Sequence, residues 1–572
     1  MRYLGRAKHV FGLFSRPFSS LRSAKFSSSI WQWPRRAFSR TPDASDELFN
    51  YTSGRWLVND ELRLAERRRE FDIKELCRLA ALSVNQSPQD IDTFVKLAEG
   101  GFNRTFLITM RGGFELVARI PYPVTVPKFY AIASEVATMR FLRSSGLPVP
   151  EVYDYSPSSD NAAKTEYIFM EFMRGTKLSD VWMQLEEPDI VAVLRQLAEL
   201  ESRMMSIPFP AGGSIYHTND LEKMTGKMGI PLEDENFCIG PDVRLHMWYG
   251  RRSQLEVDRG PYKTIEDALA VPARKELAYL ERFGKPLLPF HRERREAYEY
   301  KEQSPLDHIN NLERYLLLAP SLVPKNPSLH PFRIRHPDLQ PSNIIVSTSS
   351  DSDQLKIVGL LDWQHASILP LFLIPGIPNL LQNYDDPVSQ ALIPPSLPAN
   401  MDEMDEDDQY HAWALYHRRL VHFQYVKNTA EHNKLHHDAL SNLFTCRLFY
   451  QAGYPWEAET HALKTTLIEA TELWGRLAGE DIPCPVVFDP EDLRKTKELS
   501  PKLQLADENF EGCQGMIGFD TETWVSNEHY KMAMDLAELL KSKILTQISD
   551  EEVRAKTEAN WFLSDMDEKD YM

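Results

Sequence analysis

A His, an Asp and an Asn lie within eight residues of one another in the stretch "RIRHPDLQPSNIIVS", residues 333–347. They are His336, Asp338 and Asn343, and the Asn stands five positions after the Asp. A carboxylate can accept a proton from an attacking hydroxyl group, and an amide oxygen is a hard ligand of the kind that Mg²⁺ binds. The stretch therefore predicts a proton acceptor beside a metal ligand.

The residues after Asn343 predict a β-hairpin. An apolar run is followed by the polar loop "STSSDSD" and by a second apolar run, "LKIVGLLDW", which ends on Asp362 and Trp363. Two short apolar runs joined by a polar turn are typical of antiparallel strands. Because the hairpin returns the chain to its starting end, Asn343 and Asp362 should lie side by side and bind one Mg²⁺.

The elements before this stretch predict a sheet followed by helices. Residues 93–120 contain three short apolar runs separated by glycine pairs, which favours an antiparallel meander. A helix is predicted in "YAIASEVATMRFLRSSGLP", and a buried strand in "TEYIFMEFMRG". From about residue 176 the patterns are mainly helical, apart from the hairpin. A sheet lobe therefore precedes a helical lobe.

This set of motifs resembles the phosphotransferase branch of the protein-kinase-like fold, specifically the aminoglycoside phosphotransferases and the choline-kinase-like enzymes. Their His-x-Asp-x₄-Asn catalytic loop matches His336, Asp338 and Asn343, and their second metal aspartate matches Asp362. The resemblance implies an α+β two-lobe fold, with a small antiparallel-sheet N-lobe, a large mainly helical C-lobe and a helical C-terminal extension. It also implies ATP and Mg²⁺ as cofactors, Asp338 as the catalytic base and His336 as support for the loop backbone.

The resemblance further implies nucleotide contacts in the N-lobe. Gly100 and Gly101 stand where the family's phosphate-covering loop lies, although a plain hairpin turn remains the alternative for this pair. Glu171 and Met173 belong to "MEFM", which would be the connector that lines the adenine pocket through backbone groups.

Arg119 in "VARI" occupies the position of the family's lysine, and Glu135 would be its partner carboxylate. A purely structural ion pair is the alternative for these two residues. Lys96, on the first strand, could supply another positive charge, but an ordinary exposed lysine is favoured. An arginine can clamp phosphate through two hydrogen bonds, yet it is bulkier than a lysine.

A narrower resemblance is to the fungal altered-inheritance-of-mitochondria proteins within the same superfamily. It is carried by a transit-like start and by four short motifs. These are "FNYTSGRWL" (49–57), "LVARIP" (116–121), "FCIGP" (237–241) and "RGPY" (259–262). Their spacing does not indicate what they do.

The first forty residues are rich in Arg and Ser, and the first acidic residue is Asp43. This composition predicts a mitochondrial transit peptide over residues 1–38, with a disordered basic tail as the alternative. Its removal would take eight positive charges from a net charge of −18 and leave −26. The expected location is the mitochondrion, in the matrix.

Composition excludes several other classes of protein. A net charge of −18 argues against nucleic-acid binding. Five scattered cysteines without a CxxC pair fit a reducing compartment. The most apolar stretch, residues 366–381, contains three prolines and is too short to span a membrane. In "HNKLHH", His432 and His436 have a spacing that could bind zinc, but a solvated helix face is favoured.

The predicted organisation after the transit peptide has four parts. They are an N-terminal extension (39–90), the nucleotide-binding N-lobe (91–173), the C-lobe with the catalytic loop and metal hairpin (174–400), and a helical C-terminal part of the C-lobe (401–572).

Two functions follow as hypotheses. The first is a mitochondrial phosphotransferase that moves the γ-phosphate of ATP to a hydroxyl of a small-molecule acceptor. The second is a kinase-like scaffold that binds nucleotide weakly or not at all and acts through protein partners. Arg119 and the poor glycine loop favour the scaffold, whereas the complete set of Asp338, Asn343 and Asp362 favours the enzyme.

Overall fold

The computed structural model describes residues 42–349 and 352–572, and the predicted transit peptide lies outside the described residues. These ranges contain fifteen β-strands and eighteen α-helices. A small antiparallel sheet forms one lobe and a large, mainly helical assembly forms the other. The predicted α+β two-lobe architecture is confirmed.

The strands, in chain order, are β1 (Gly54–Trp56), β2 (Ile91–Glu99), β3 (Asn103–Met110), β4 (Glu115–Pro121), β5 (Val152–Ser156), β6 (Tyr167–Glu171), β7 (Thr176–Lys177), β8 (Ser214–His217), β9 (Ile230–Pro231), β10 (Phe237–Gly240), β11 (Phe332–Ile334), β12 (Ile344–Ser349), β13 (Ser352–Leu360), β14 (Ile368–Pro370) and β15 (Trp524–Ser526).

The helices, in chain order, are α1 (Pro42–Phe49), α2 (Asp60–Arg67), α3 (Ile73–Ser83), α4 (Lys128–Ser144), α5 (Leu178–Val181), α6 (Glu187–Ser206), α7 (Thr218–Thr225), α8 (Ile265–Phe283), α9 (Pro305–Leu318), α10 (Pro387–Gln390), α11 (Glu406–His432), α12 (Lys434–Ala439), α13 (Leu443–Gly453), α14 (His461–Glu472), α15 (Trp474–Leu477), α16 (Pro490–Ile517), α17 (Tyr530–Gln547) and α18 (Glu551–Ala559).

The N-lobe sheet has five antiparallel strands in the order β2-β3-β4-β6-β5. The meander predicted from the glycine pairs is confirmed by the pairing of β2 with β3 and of β3 with β4. Alternate residues of β3, including Phe106 and Ile108, are fully buried in a core shared with Leu76 of α3. The sheet is therefore covered on one face by the N-terminal extension.

Helix α4 confirms the helix predicted after the meander. It has buried residues on nearly every side, which is the pattern of a helix enclosed between other elements. The chain leaves it through Gly146, whose φ of +80° favours glycine. Because α4 lies between the sheet and strand β8 of the C-lobe, it can bring a side chain to the boundary between the lobes.

The predicted catalytic hairpin is formed by β12 and β13, with Ile344 paired to Leu360. The pairing continues one step further, since the Leu361 backbone N–H donates to the Asn343 carbonyl at 2.8 Å. Trp363 then packs with no exposed surface, and its indole N–H donates to the Leu360 carbonyl at 3.0 Å. The hairpin therefore brings Asn343 and the segment after β13 to the same end, as predicted.

The C-lobe contains more strands than the sequence patterns predicted. Strands β8, β9 and β10 form a three-stranded sheet, and β11 pairs with β14. The prediction of a region that is helical apart from the hairpin is therefore wrong in part. These strands are two to four residues long, which is too short for apolar alternation to reveal them.

The prediction of a solvated histidine face is wrong for His436, whereas His432 is partly exposed. His436 has no exposed surface, and its Nε2 accepts a hydrogen bond from the Gly376 backbone N–H at 3.2 Å. His422 is buried too, and its Nδ1 accepts from the Asn383 backbone N–H at 2.9 Å. Both rings satisfy backbone groups of the irregular segment between the hairpin and α11.

A segment of the N-terminal extension links the two ends of the described chain. We call residues 50–57 the strap; they include most of the motif "FNYTSGRWL". Within it, β1 pairs antiparallel with β15, and Leu57 enters a core with Phe510 and Val525. The strap therefore packs against the helical region formed by α16, α17 and α18. Among the described helices, none has the length and apolar character that crossing a membrane requires.

Trp363→Ala should lower the free energy of unfolding by about 3–5 kcal/mol, because it leaves a cavity in a fully buried site. The variant Trp413→Ala is the matched control, since 39% of Trp413 is exposed on α11; it should cost under about 1 kcal/mol. Urea unfolding of both variants measures the difference. Equal stabilities would contradict the buried position of Trp363.

Candidate active site

The catalytic loop holds its predicted base and metal ligand in direct contact. The Asn343 side-chain amide donates to the Asp338 backbone carbonyl at 2.9 Å and to its carboxylate Oδ2 at 3.2 Å. The Gln340 side-chain amide donates to Asp338 Oδ1 at 2.7 Å. The Asp338 side chain remains exposed at the surface of the loop. It is oriented by two amides and accessible to an incoming hydroxyl group.

His336 joins the catalytic loop to the end of β13. Its Nε2–H donates to the Leu361 carbonyl at 2.8 Å, and its Nδ1 accepts from the Asp338 backbone N–H at 3.1 Å. Burial lowers the pKa of His336 to about 4, so the ring is neutral near pH 7. These contacts are those of a residue that supports the loop backbone, the role that the family resemblance implies.

An ion pair beneath the catalytic loop was missed by the sequence reasoning. Arg335 donates through Nε to Glu201 on α6 at 2.8 Å and through Nη2 to the Gly376 carbonyl at 2.7 Å. Glu201 has no exposed surface and also accepts from the Tyr425 hydroxyl at 2.7 Å. The loop is thereby fixed to α6 and α11. Arg335 is 134 positions from Glu201 in the chain, so no local pattern indicates the pair.

Arg119 bridges two carboxylates at the boundary between the lobes. Its Nη1 lies 2.6 Å from Glu135 Oε1, and its Nη2 lies 2.6 Å from Asp362 Oδ1. Both Arg119 and Glu135 are buried. Burial raises the pKa of Glu135 to about 7, against the opposing attraction of Arg119. The predicted partnership of Arg119 with Glu135 is present, and Asp362 is a third member that the sequence did not indicate.

Asp362 has the accessibility that a metal ligand needs. Its side chain is 42% exposed, whereas that of Arg119 is 7% exposed. Desolvation would raise the pKa of Asp362, but the charge of Arg119 outweighs it and holds the pKa below its ordinary value. The carboxylate is therefore ionised and partly open to solvent. With the Asn343 amide at the same end of the hairpin, this donor set fits Mg²⁺, which takes few protein ligands together with water and phosphate oxygens.

The charges of Asp338 and Asp362 influence each other. The pKa of Asp338 is raised, first by desolvation and then by the negative charge of Asp362, although hydrogen bonds from Gln340 and Asn343 oppose the shift. The Asn343 side chain contacts Asp338, and the Asn343 carbonyl accepts from the N–H of Leu361, the residue before Asp362. The three predicted residues therefore come from adjoining segments.

The glycine pair forms a tight hairpin turn that closes onto the segment after β13. Residues 100–102 join β2 to β3, and the Gly100 N–H donates to the Asn103 carbonyl at 2.9 Å. The Asn103 side-chain amide lies 2.6 Å from that of Gln364, whose Oε1 accepts from Arg119 at 3.1 Å. Asn103 and Gln364 are both buried and were missed by the sequence reasoning. We call residues 99–103 the glycine hairpin.

The remaining predicted nucleotide contacts lie in the connector between the lobes. The Glu171 carboxylate oxygen Oε2 accepts from the Glu151 N–H at 3.0 Å and pairs with Arg143 at 3.1 Å, and the Glu171 N–H donates to the Glu151 carbonyl at 2.8 Å. Met173 lies against Gly359 of β13, where a Cβ atom would come within 3.0 Å of its methyl carbon. Both assignments remain predictions.

Lys96 neither supplies a charge to the cleft nor stands as an ordinary exposed lysine. Its Nζ donates to the Asn50 carbonyl at 3.0 Å and to the Thr52 hydroxyl at 2.9 Å, and it pairs with Glu99 at 2.9 Å. Lys96 therefore binds the strap, on the outer side of the glycine hairpin.

Comparisons with known proteins cover most of the chain. A family model described as "Phosphotransferase enzyme family" matches residues 93–372. A subtelomeric hrmA-associated cluster protein of Aspergillus fumigatus is 32% identical over 493 residues, which are 79% of this chain and 93% of that protein. "Altered inheritance of mitochondria protein 9, mitochondrial" of Saccharomyces cerevisiae is 26% identical over 564 residues, which are 83% and 87% of the two chains.

Among solved structures, an ADP-bound aminoglycoside phosphotransferase aligns at 15% identity and a TM-score of 0.32, covering 72% of this chain and 93% of that one.

Glu201→Gln should destabilise the protein by about 3–5 kcal/mol, because it leaves the Arg335 charge without its buried partner. Glu187→Gln is the matched control, because Glu187 stands exposed on the same helix and bonds only the Tyr416 hydroxyl at 2.9 Å among the contacts described. It should cost under about 1 kcal/mol. Urea unfolding compares the two variants, and similar losses would refute the anchoring role of the Arg335–Glu201 pair.

Proposed function

Because the chain belongs to the phosphotransferase enzyme family, we propose that it transfers the γ-phosphate of ATP to a hydroxyl group of a small molecule. The observation that carries the proposal is the convergence at one end of the β12–β13 hairpin. There the Asn343 amide contacts Asp338, and the chain leads directly into Asp362. Phosphoryl transfer needs little covalent chemistry from the protein, so a positioned base and charge neutralisation suffice.

In this proposal, Asp338 orients the acceptor hydroxyl and takes its proton as the new phosphate ester forms. Asn343 and Asp362 would hold Mg²⁺, which when bound neutralises charge on the phosphates. Arg119 would contact the phosphates in place of the family's lysine, with Glu135 fixing its position. His336 remains neutral and holds the loop backbone, since its two ring nitrogens are both engaged.

We further propose a mitochondrial location, in the matrix. Two observations support it. The first forty residues are basic and contain no acidic residue. The names of the related proteins from Yarrowia lipolytica and Saccharomyces cerevisiae include "mitochondrial". The acceptor would then be a hydroxyl-bearing metabolite of that compartment.

The alternative function is a kinase-like scaffold. The observation that favours it is the double engagement of Arg119, whose guanidinium is bound by both Glu135 and Asp362. If nucleotide cannot displace the Asp362 contact, the fold would serve protein partners without catalysis. Nucleotide binding separates the two functions.

Mg·ATP should raise the melting temperature of the wild-type protein. A free Mg·ATP concentration of 100 times the dissociation constant stabilises the folded state by about 2.7 kcal/mol. Asp362→Ala should abolish the shift because it removes a metal ligand. Asp338→Asn, on the same surface, should keep the shift while losing phosphoryl transfer, which is followed by ³¹P NMR with hydroxyl-bearing metabolites. Absence of any shift in the wild type would support the scaffold.

The rate of transfer should fall with decreasing pH because a protonated Asp338 cannot accept the acceptor's proton. Since the pKa of Asp338 is raised, activity is present above that pKa and disappears below it, at a higher pH than an ordinary aspartate would give. The pH profile of kcat/KM measures this. The dissociation constant of Mg·ATP over the same pH range is the control, and a parallel loss of nucleotide binding would contradict the assignment to Asp338.

A further inference from the structure

The strap is bound to the last residue before the glycine turn. The Glu99 carboxylate oxygen Oε2 accepts from the Thr52 backbone N–H at 2.8 Å, from the Ser53 hydroxyl at 2.8 Å and from the Thr52 hydroxyl at 3.3 Å. Glu99 immediately precedes Gly100 in the chain. The three hydrogen bonds therefore act at the base of the turn that covers the proposed phosphate site.

The second oxygen of Glu99 is also engaged. Oε1 lies 2.9 Å from Lys96 Nζ and 3.0 Å from Arg104 Nε, and the Glu99 side chain has no exposed surface. A buried carboxylate is tolerated when opposite charges and hydrogen bonds satisfy it, and removing them is costly. Glu99 thus joins both strands of the glycine hairpin to the strap.

The glycine hairpin is held on both faces of the sheet. Successive side chains of a strand point to opposite faces, so neighbouring residues can make contacts on the two sides. Asn103 points inward and contacts Gln364 at 2.6 Å. Its neighbour Arg104 points outward, where it donates to the Leu48 carbonyl at 2.8 Å and to the Arg67 carbonyl at 3.3 Å. The inner contact belongs to the proposed nucleotide site, and the outer contacts belong to the N-terminal extension.

The strap is anchored in turn to the C-terminal helices. The Asn527 side-chain amide donates to the Thr52 carbonyl at 2.7 Å, next to the β1–β15 pairing. Further along, the Asn59 side chain donates to the Met566 carbonyl at 2.9 Å and to the Glu568 carboxylate at 2.6 Å. A continuous series of polar contacts therefore runs from the glycine hairpin to the region after β15.

We infer that Glu99 is a positioning residue for the glycine hairpin, and that the strap makes nucleotide binding depend on the packing of α16, α17 and α18. The inference rests on the proposed nucleotide site. Two adjacent glycines leave the turn with many accessible backbone conformations. Fixing its base before nucleotide arrives reduces the ordering cost of binding. By linkage, nucleotide that orders the hairpin stabilises the strap and β15 to the same extent.

Isothermal titration of the full chain with Mg·ATP tests the inference. Glu99→Gln should weaken binding about tenfold, because it removes a charge on which two cations and the strap converge. Asn527→Ala, an exposed position remote from the cleft, should weaken it about threefold through loss of one hydrogen bond to the strap. Affinities equal to wild type in both variants would overturn the inference.

Two control variants separate positioning from general damage. Glu115→Gln alters a carboxylate of the same sheet that pairs with Arg174 at 3.8 Å, and Asn236→Ala alters an exposed amide that bonds Asp234 at 2.8 Å. Both should bind Mg·ATP within about twofold of wild type. A loss in Asn236→Ala as large as that in Asn527→Ala would also overturn the inference. If Glu99→Gln does not fold, the exposed Asn527→Ala variant still decides the outcome.

Hydrogen exchange provides a readout that a merely structural role of Glu99 would not change. Mg·ATP should slow amide exchange in β15 of the wild type and leave it unchanged in Asn527→Ala. Mg·ATP binding without any change in β15 would refute the coupling while leaving the proposed function intact. A wild-type protein that does not bind Mg·ATP would remove the proposed function, and this inference with it.

Discussion

The buried guanidinium of Arg119 imposes a constraint that organises the whole boundary between the lobes. An uncompensated charge in that position would cost several kcal/mol, and the two carboxylates that compensate it come from different elements, α4 and the segment after β13. The sheet, helix α4 and the segment after β13 can satisfy this charge only when all three are in place. The hairpin brings Asp362 to the end where Asn343 lies, so one carboxylate both compensates Arg119 and belongs to the proposed metal site.

The proposed catalytic loop is held from several directions by buried groups. His336 fixes it to the strand before Asp362, and Arg335 fixes it to Glu201. Trp363 fills the space behind His336, with ring centroids 4.4 Å apart. Loops that carry reactive groups need a rigid support if their side chains are to keep a productive geometry. The exposed Asp338 therefore rests on buried neighbours whose positions leave it little freedom.

The features that were predictable from sequence are those encoded in short segments. One short segment of about thirty residues holds His336, Asp338 and Asn343 together with the two apolar runs of the hairpin. The local sequence pattern is enough to predict a unit of this size. Asn103 and Gln364 are 261 positions apart, and their pairing depends on how the lobes pack. Strand β9 has two residues, so it had no periodicity to detect. His436 was predicted to lie on the surface, because the burial of its side chain depends on the irregular segment that covers it.

The pairing of β1 with β15 joins residues separated by more than 460 positions. At synthesis rates of 5–20 residues per second, about 25–90 s pass between the emergence of the two strands from the ribosome. Throughout that interval the sheet lobe can form and Thr52 and Ser53 can reach Glu99, but the strap stays without β15 and without the Asn527 amide. Long-range closure of this kind slows folding and leaves incomplete intermediates exposed to chaperones and proteases. A nascent chain would therefore hold its glycine turn on a strap that still lacks its C-terminal partner strand.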